Sequence, residues 1–336
     1  MRWAAYTLLA TLAGGCCFAA DDPDSLSHIR EHMREYLARL PDYTCRVTIE
    51  RSTRRNLRMA YSVNDRLRLE IAYASGHEFY AWPGDSGFEN TIEELLPERG
   101  MVSEGSWALH MRKLFLTNDA QFQAPRVDGD DLRVDFLVPA VRSGFALSAG
   151  GASAPAALHG SVWFDRTTLD VRRLEVRVED TPPSLRIAGT REVTSYASAV
   201  VGDVAVVLPT TSELELLDRD GSQRRNSSQF NDCHRYAGSA TVRYDAASEP
   251  AAERAGPRPT YQRGQRVDVK FESGIPADAA IGDLFTNGGA TVRITDIRQT
   301  GTRWSVEFSL VGARAVVRRS LTLPAPPGTS LTLRVE

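Results

Sequence analysis

Lysine is almost missing from this sequence: Lys113 and Lys270 are the only two, and every other basic residue is arginine. The arginines are spread among acids, and the formal net charge is −3, so no basic surface points to nucleic acid. Beyond the first 20 residues no apolar run is long enough to cross a membrane as a helix. Cysteine is scarce, four in 336 residues, which excludes a small disulfide-stapled scaffold. The chain also lacks GxSxG, HExxH, a P-loop and a strand–GxGxxG–helix signature.

Two fragments touch known chemistry and fall short of it. Gly84-Asp85-Ser86-Gly87 repeats the GDSG around the nucleophile of chymotrypsin-like proteases. That chemistry needs a histidine base and an orienting acid, and the residue after the motif here is Phe88. Gly and Asp between strands are also ordinary turn residues. Asp218-Arg219-Asp220-Gly221 opens like a calcium loop, but no glutamate closes it at the twelfth position. His28 and His32 share a helical face without a third ligand in view. No catalytic residue, metal site or cofactor is expected.

What is present is a globular composition, 42% apolar and 25% charged, in a length that suits about two domains. Met1-Arg2, the apolar run Trp3 to Ala20 and the stop at Asp21-Asp22 have the layout of a secretory signal peptide over residues 1–19. A lipid-anchored form using Cys16 or Cys17 is the alternative. The expected location is exported, either periplasmic or associated with the outer membrane, with no transmembrane span in the mature chain. Cys45 and Cys233 then remain in an oxidising compartment, each in or beside a strand-like segment, and a disulfide between them is expected. It would close a loop spanning most of the first domain, which the chain-entropy model values at roughly 5 kcal/mol at most.

Residues 24–40 carry Leu26, Ile29, Met33, Leu37 and Leu40 at spacings of three and four, which predicts an amphipathic helix ended by Pro41. The period then switches to two. Cys45, Val47 and Ile49 alternate with Arg46, Thr48 and Glu50, and Leu67, Leu69, Ile71 and Tyr73 alternate with Arg66, Arg68, Glu70 and Ala72. These are half-buried antiparallel strands. A short strand at His77 to Trp82, a weak helix at Thr91 to Leu96 and a helix at Ser106 to Leu116 follow. Strands dominate from Leu132, apart from a Gly/Ala/Ser-rich stretch at 148–157 read as a loop, and tight turns are expected at Asp165–Asp170 and Asp218–Ser222. Residues 239–245 are the last expected strand of this part.

Three prolines and five alanines at 246–259 read as a linker between a domain at 20–245 and a small β domain at 260–336. The pattern therefore gives an α+β fold: a large antiparallel sheet with helices on one face, plus a small C-terminal all-β domain.

Apolar and aromatic side chains gather in the first domain. Leu67, Leu69, Ile71, Phe79 and Trp82 come from its early strands, and Trp107, Phe115, Phe136 and Trp163 from later segments. They fit either a packed core or the lining of a cavity that shelters an acyl chain or another apolar group. Alternation looks the same in both cases.

Order and texture carry a resemblance. A helix ending LPDYTCRVTIER leads to RLRLEIAYASGHEFYAWPGD, then to a helix with WALHMRKLF, then to the pair HGSVWFDRTTLDVRRLEVRVED. Over residues 24–245 this resembles the outer-membrane lipoprotein carrier (LolA-like) superfamily. The resemblance implies a curved, unclosed sheet wrapping helices around a hydrophobic cavity for lipid, and no catalytic residue. The segments YTCR and NDCHRY and the second domain look more like large exported proteins of GC-rich bacteria. Two functions follow as expectations: a non-enzymatic exported protein that binds a lipid or lipoprotein acyl chain under the sheet, or a cell-envelope protein with a packed core that binds a protein partner.

Overall fold

A computed structural model of the chain describes residues 24–85, 87–89, 91–95, 108–149, 152–179, 181–236 and 260–336. The expected signal peptide, the linker and the strand at 239–245 lie outside the described residues.

Helix α1 (Ser25–Arg39) buries Ile29, Met33 and Leu37, the predicted stripe, and stops at Leu40 before Pro41. Strands β1 (Tyr43–Arg54), β2 (Ser62–Ala74) and β3 (His77–Ala81) form a meander. One-turn helix α2 (Ile92–Leu95) and helix α3 (Ala108–Phe115) follow. The chain continues through β4 (Gln121–Phe122), β5 (Arg126–Asp128), β6 (Asp131–Val138), α4 (Ala140–Ser143), β7 (Ala146–Ala149) and β8 (Ala152–Pro155). The stretch read as a loop at 148–157 thus carries part of a small hairpin, β7 with β8. Alanine and serine gave no alternation of apolar and polar residues from which to see it.

Next come β9 (Leu158–Asp165), β10 (Val171–Val178), β11 (Ile187–Val201), β12 (Val204–Asp218) and β13 (Gln223–Arg235). Eleven strands form one antiparallel sheet in the order β3-β2-β1-β13-β12-β11-β10-β9-β6-β4, with β5 also on β6. Its two ends do not meet, so the sheet is an unclosed barrel, with α1 and α3 packed on its concave face.

Packing follows the alternation. Leu132, Val134, Phe136 and Val138 of β6 point inward in strict period two. Phe115 of α3 lies against Phe164 of β9 edge to face, ring centres 6.0 Å apart, and stacks on Phe122 at 5.2 Å. Gly160 permits this layer: a Cβ there would sit 2.6 Å from the Phe136 ring and 1.9 Å from the Glu175 carbonyl. Strand β12 pairs with β13 only over Thr211–Leu217, and Pro209 stands in the part without that neighbour. There the Tyr36 hydroxyl of α1 donates to the Val207 carbonyl at 3.1 Å and accepts the Val207 N–H at 2.8 Å, filling the strand's open edge.

The predicted disulfide is present. Cys45 and Cys233 join β1 to β13 beside a register shift between Thr44 and Arg46. Among the described residues no helix is long and apolar enough to cross a membrane.

The C-terminal part has β14 (Arg266–Phe271) paired with β19 (Thr329–Arg334). A four-stranded sheet is built from β15 (Leu284–Asn287), β16 (Ala290–Thr300), β17 (Arg303–Leu310) and β18 (Val316–Leu321). Phe271 bridges the two sheets, edge to face with Phe285 and tilted on Phe308. This domain is docked on the first. Strand β3 covers β2 only over Glu70–Ala74, and the free edge beyond takes a parallel bridge, Leu67 to Ile281. The Arg68 N–H donates to the Ile281 carbonyl and the Ile281 N–H to the Arg66 carbonyl, both at 2.8 Å. An open sheet edge is an invitation to foreign strands, and here the chain's own second domain occupies part of it.

Candidate functional site

The register places one row of side chains on the concave face of β1 and β2: Tyr43 opposite Tyr73, Cys45 opposite Ile71, Val47 opposite Leu69, Ile49 opposite Leu67. The expected sheet with helices on one face would put this whole row beneath those helices. The structure divides it. Tyr43, Cys45 and Tyr73 join the core under α1 and α3. Val47, Ile49, Leu67 and Leu69 belong instead to a second core that continues into the C-terminal domain. Both ends face one way; different elements cover them.

Between these cores lies a pocket. Val47, Ile49 and Ile71 form its apolar wall, with Phe230 of β13 and Ile92 of α2. Glu192 of β11, Ser212 of β12, and Asn226 and Ser228 of β13 line the other side around Leu214. Thr194 donates to the Ser212 hydroxyl at 3.2 Å, and Ser212 donates to the Glu192 carboxylate at 2.9 Å, a buried relay across two strands. Beside it Arg51 grips Asp65 through two bonds of 2.6 Å. The space inside is about 20 Å³, room for one water molecule.

The cover is slight. Helix α2 is one turn long and is held by a reciprocal cap: the Glu94 N–H donates to Thr91 Oγ1 at 3.2 Å, and the Thr91 N–H to Glu94 Oε2 at 3.3 Å. A single turn has almost no stability of its own, so its place rests on buried Ile92 and its local contacts.

Of the apolar residues singled out from the sequence, Ile71 lines this pocket. Leu67 and Leu69 are fully buried in the second core. Phe115 and Phe136 sit in the helix-covered core. Trp82 packs at the domain junction, where Gly282 lies against its ring. Phe79 is half-buried on the opposite face, since it stands opposite Ala72 while Tyr80 stands opposite Ile71. Trp107 lies outside the described residues. Trp163 also faces away from the concave side. It pairs with Arg133 and Arg173, whose guanidinium groups lie 5.1 and 4.6 Å from its ring centre, and its indole N–H donates to Asp128 at 2.8 Å.

The convex face is a lattice of ion pairs. Glu175 is its hub, bonded by Arg173, Arg177 and Arg191. Burial alone would raise the Glu175 pKa; the bonds and charges of Arg191 and Arg177 outweigh it and bring the value down to about 2. The other fragments noted in the sequence have structural partners. Asp85 of the GDSG segment pairs with Arg293 of the C-terminal domain, and Ser86 lies outside the described residues. Asp218 holds Arg224, and Asp220 accepts from Ser222.

Alternation marked Val47 and Ile49 as inward from the start. Leu214, Phe230 and the polar wall were missed, because their strands carry many polar residues on both faces.

No protein-family model matches the sequence, and no curated protein does. Among solved structures the chain is similar to a putative outer membrane lipoprotein-sorting protein domain from Vibrio parahaemolyticus, at 12% identity and a TM-score of 0.35, over 63% of this chain and 94% of that one. It is similar to the LolA superfamily protein NE2245 from Nitrosomonas europaea, at 13% identity and a TM-score of 0.28, over 62% and 91%. It is also similar to a DUF1329 family protein from Desulfovibrio piger, at 15% identity and a TM-score of 0.29, over 63% and 92%.

Proposed function

We propose that this is an exported, non-enzymatic protein that binds a hydrophobic group on the concave face of its open sheet. One observation carries the reading: an apolar wall of Val47, Ile49, Ile71 and Phe230 meets Ile92 of a single helical turn, between the core under α1 and α3 and the core shared with the C-terminal domain. Displacing Ile92 would expose a slot in which an acyl chain loses water contact at roughly 25 cal/mol per Å². The disulfide supports an oxidising compartment. The test is titration of the purified protein with a dansyl-labelled undecanoic acid, competed by unlabelled oleate. Saturable binding that Ile49→Trp weakens at least roughly tenfold is expected, since an indole would fill the slot. Native mass spectrometry should show co-purifying lipid.

A second reading has its own observation. The pocket holds only about 20 Å³, the volume of a packed interior. On this reading the protein is a cell-envelope interaction protein, and neither probe nor lipid is bound.

A further inference from the structure

The hairpin that joins β1 to β2 ends in an unusual tip. Between Glu50 and Asp65 the sequence holds four arginines and no acid. Two are engaged: Arg51 with Asp65, and Arg54 with Gln223 and over the Tyr61 ring. The other two, Arg55 and Arg58, are exposed, and among the described residues neither has an ion-pair partner. Between and beyond them, Leu57 is 70% exposed and Met59 50%. The tip is not a loose loop. The Asn56 side chain accepts the Arg58 N–H at 3.0 Å, and the Asn56 carbonyl accepts the Met59 N–H at 3.2 Å, so an Asx turn holds both apolar side chains outward.

The neighbouring turn adds to it. Arg54 pairs with Gln223 in register, which sets the β12–β13 turn alongside. There Leu217 is 41% exposed, and Arg219 makes its bonds to the carbonyls of Leu185, Thr181 and Pro182 and to the Thr181 hydroxyl. Asp218 is matched by Arg224, and Asp220 has the charge of Arg186 acting on it. This end of the sheet is cationic in a chain whose net charge is −3.

We propose that the β1–β2 tip is a membrane-docking element that seats on a bilayer surface carrying anionic headgroups. Charge and shape select this partner. Arginines flanking exposed aliphatic side chains match a layer of phosphates above acyl chains. An acidic protein would offer the charge as well, but a stable protein interface needs about 800 Å² per partner, far more than two protruding side chains provide. A bilayer takes such side chains singly.

The test is co-sedimentation of the purified, exported protein with vesicles of phosphatidylcholine containing about 30% phosphatidylglycerol, and with phosphatidylcholine alone. Binding to the anionic vesicles is expected, weaker without phosphatidylglycerol, and weaker as salt rises from about 0.1 to 0.5 M. Leu57→Ser with Met59→Ser, and separately Arg55→Gln with Arg58→Gln, should each lower partitioning roughly tenfold. Val200→Ser, an exposed valine at the end of β11, should change nothing. Failure to bind anionic vesicles, tip variants that bind like the parent, an equal loss in Val200→Ser, or capture by soluble dextran sulfate but not by vesicles would each overturn the proposal.

Discussion

Arg68 and Asp283, 215 positions apart in the chain, meet at 2.5 Å across the junction of the two domains. Arg68 also donates to the carboxylate and the carbonyl of Asp278 at 3.3 Å, and its backbone N–H bonds to Ile281. One residue of β2 therefore holds the C-terminal domain through side chain and main chain together. Burial raises the Asp283 pKa, and the Arg68 charge opposes that rise.

Arg68→Ala should loosen this junction. The pair is mostly shielded, with side chains 19% and 9% exposed, so removing the cation leaves a nearly buried carboxylate with the Ala280 N–H but without its counter-charge. A cost on the order of 2–3 kcal/mol is expected, discounted from a fully buried pair because Arg68 keeps some water. Calorimetry is the check. The variant should melt in two separated transitions where the parent melts in one, and a single unshifted transition would mean that the domains are held by other contacts.

Gly282 offers a backbone test of the same junction. Its φ is +102°, and a Cβ there would lie 2.4 Å from the Arg68 carbonyl and 2.8 Å from Trp82. Gly282→Ala combines a strained conformation with a main-chain clash, so a loss of roughly 3 kcal/mol or more is expected. Gly221→Ala is the control. It has φ +84° but nothing within 4 Å, so only the conformational cost of about 1–2 kcal/mol applies. Equal losses in urea midpoints for the two variants would show that the close approach at Gly282 contributes nothing.

Much of this architecture was legible in the residues, and the limits are physical. Strand β12 ends at Asp218, where the DRDGS turn was expected. The α1 stripe and the Cys45–Cys233 pairing stand as read. The pattern gives the face a side chain takes and not what covers that face, which is why the Cys45–Tyr73 row was assigned wholly to the helices. In Val162-Trp163-Phe164 three apolar residues run together, so parity alone could not send Trp163 outward between two arginines. The bridge from Leu67 to Ile281 joins distant segments, and a local pattern carries no signal for it.

The convex lattice makes a prediction about acid. Glu175, with a side chain 7% exposed, has a pKa of about 2 against an ordinary 4.5. A carboxylate whose pKa is depressed by folding adds stability above its unfolded value, and that stability is lost as pH falls toward the folded value. Between pH 4.5 and 2 the protein should lose on the order of 2 kcal/mol through this group, since its arginine partners are partly solvated. Asp165, also held near 2 by the Arg172 bond and the N–H groups of Thr168 and Thr167, acts in the same direction. Glu175→Gln should be less stable at pH 7 and should flatten the decline in unfolding midpoint over that window. A decline as steep as the parent's would place the acid sensitivity elsewhere.

The disulfide gives the last prediction. Cys45 and Cys233 are 188 positions apart, so the bond constrains most of the first domain in the unfolded chain. In the folded state β1 and β13 are already paired from Arg46 to Arg54 by backbone bonds, so the sheet does not need the bond to keep its register. Cys45→Ala with Cys233→Ala should therefore retain the parent's far-ultraviolet spectrum while losing about 3–5 kcal/mol, chiefly because its unfolded state is freer. A reductant should lower the parent's unfolding midpoint to the level of the double variant and leave the variant's own midpoint unchanged. If the parent's thiols titrate fully under reductant and its midpoint stays put, the loop-closure account fails, and the Cys45–Cys233 bond adds no stability to the fold.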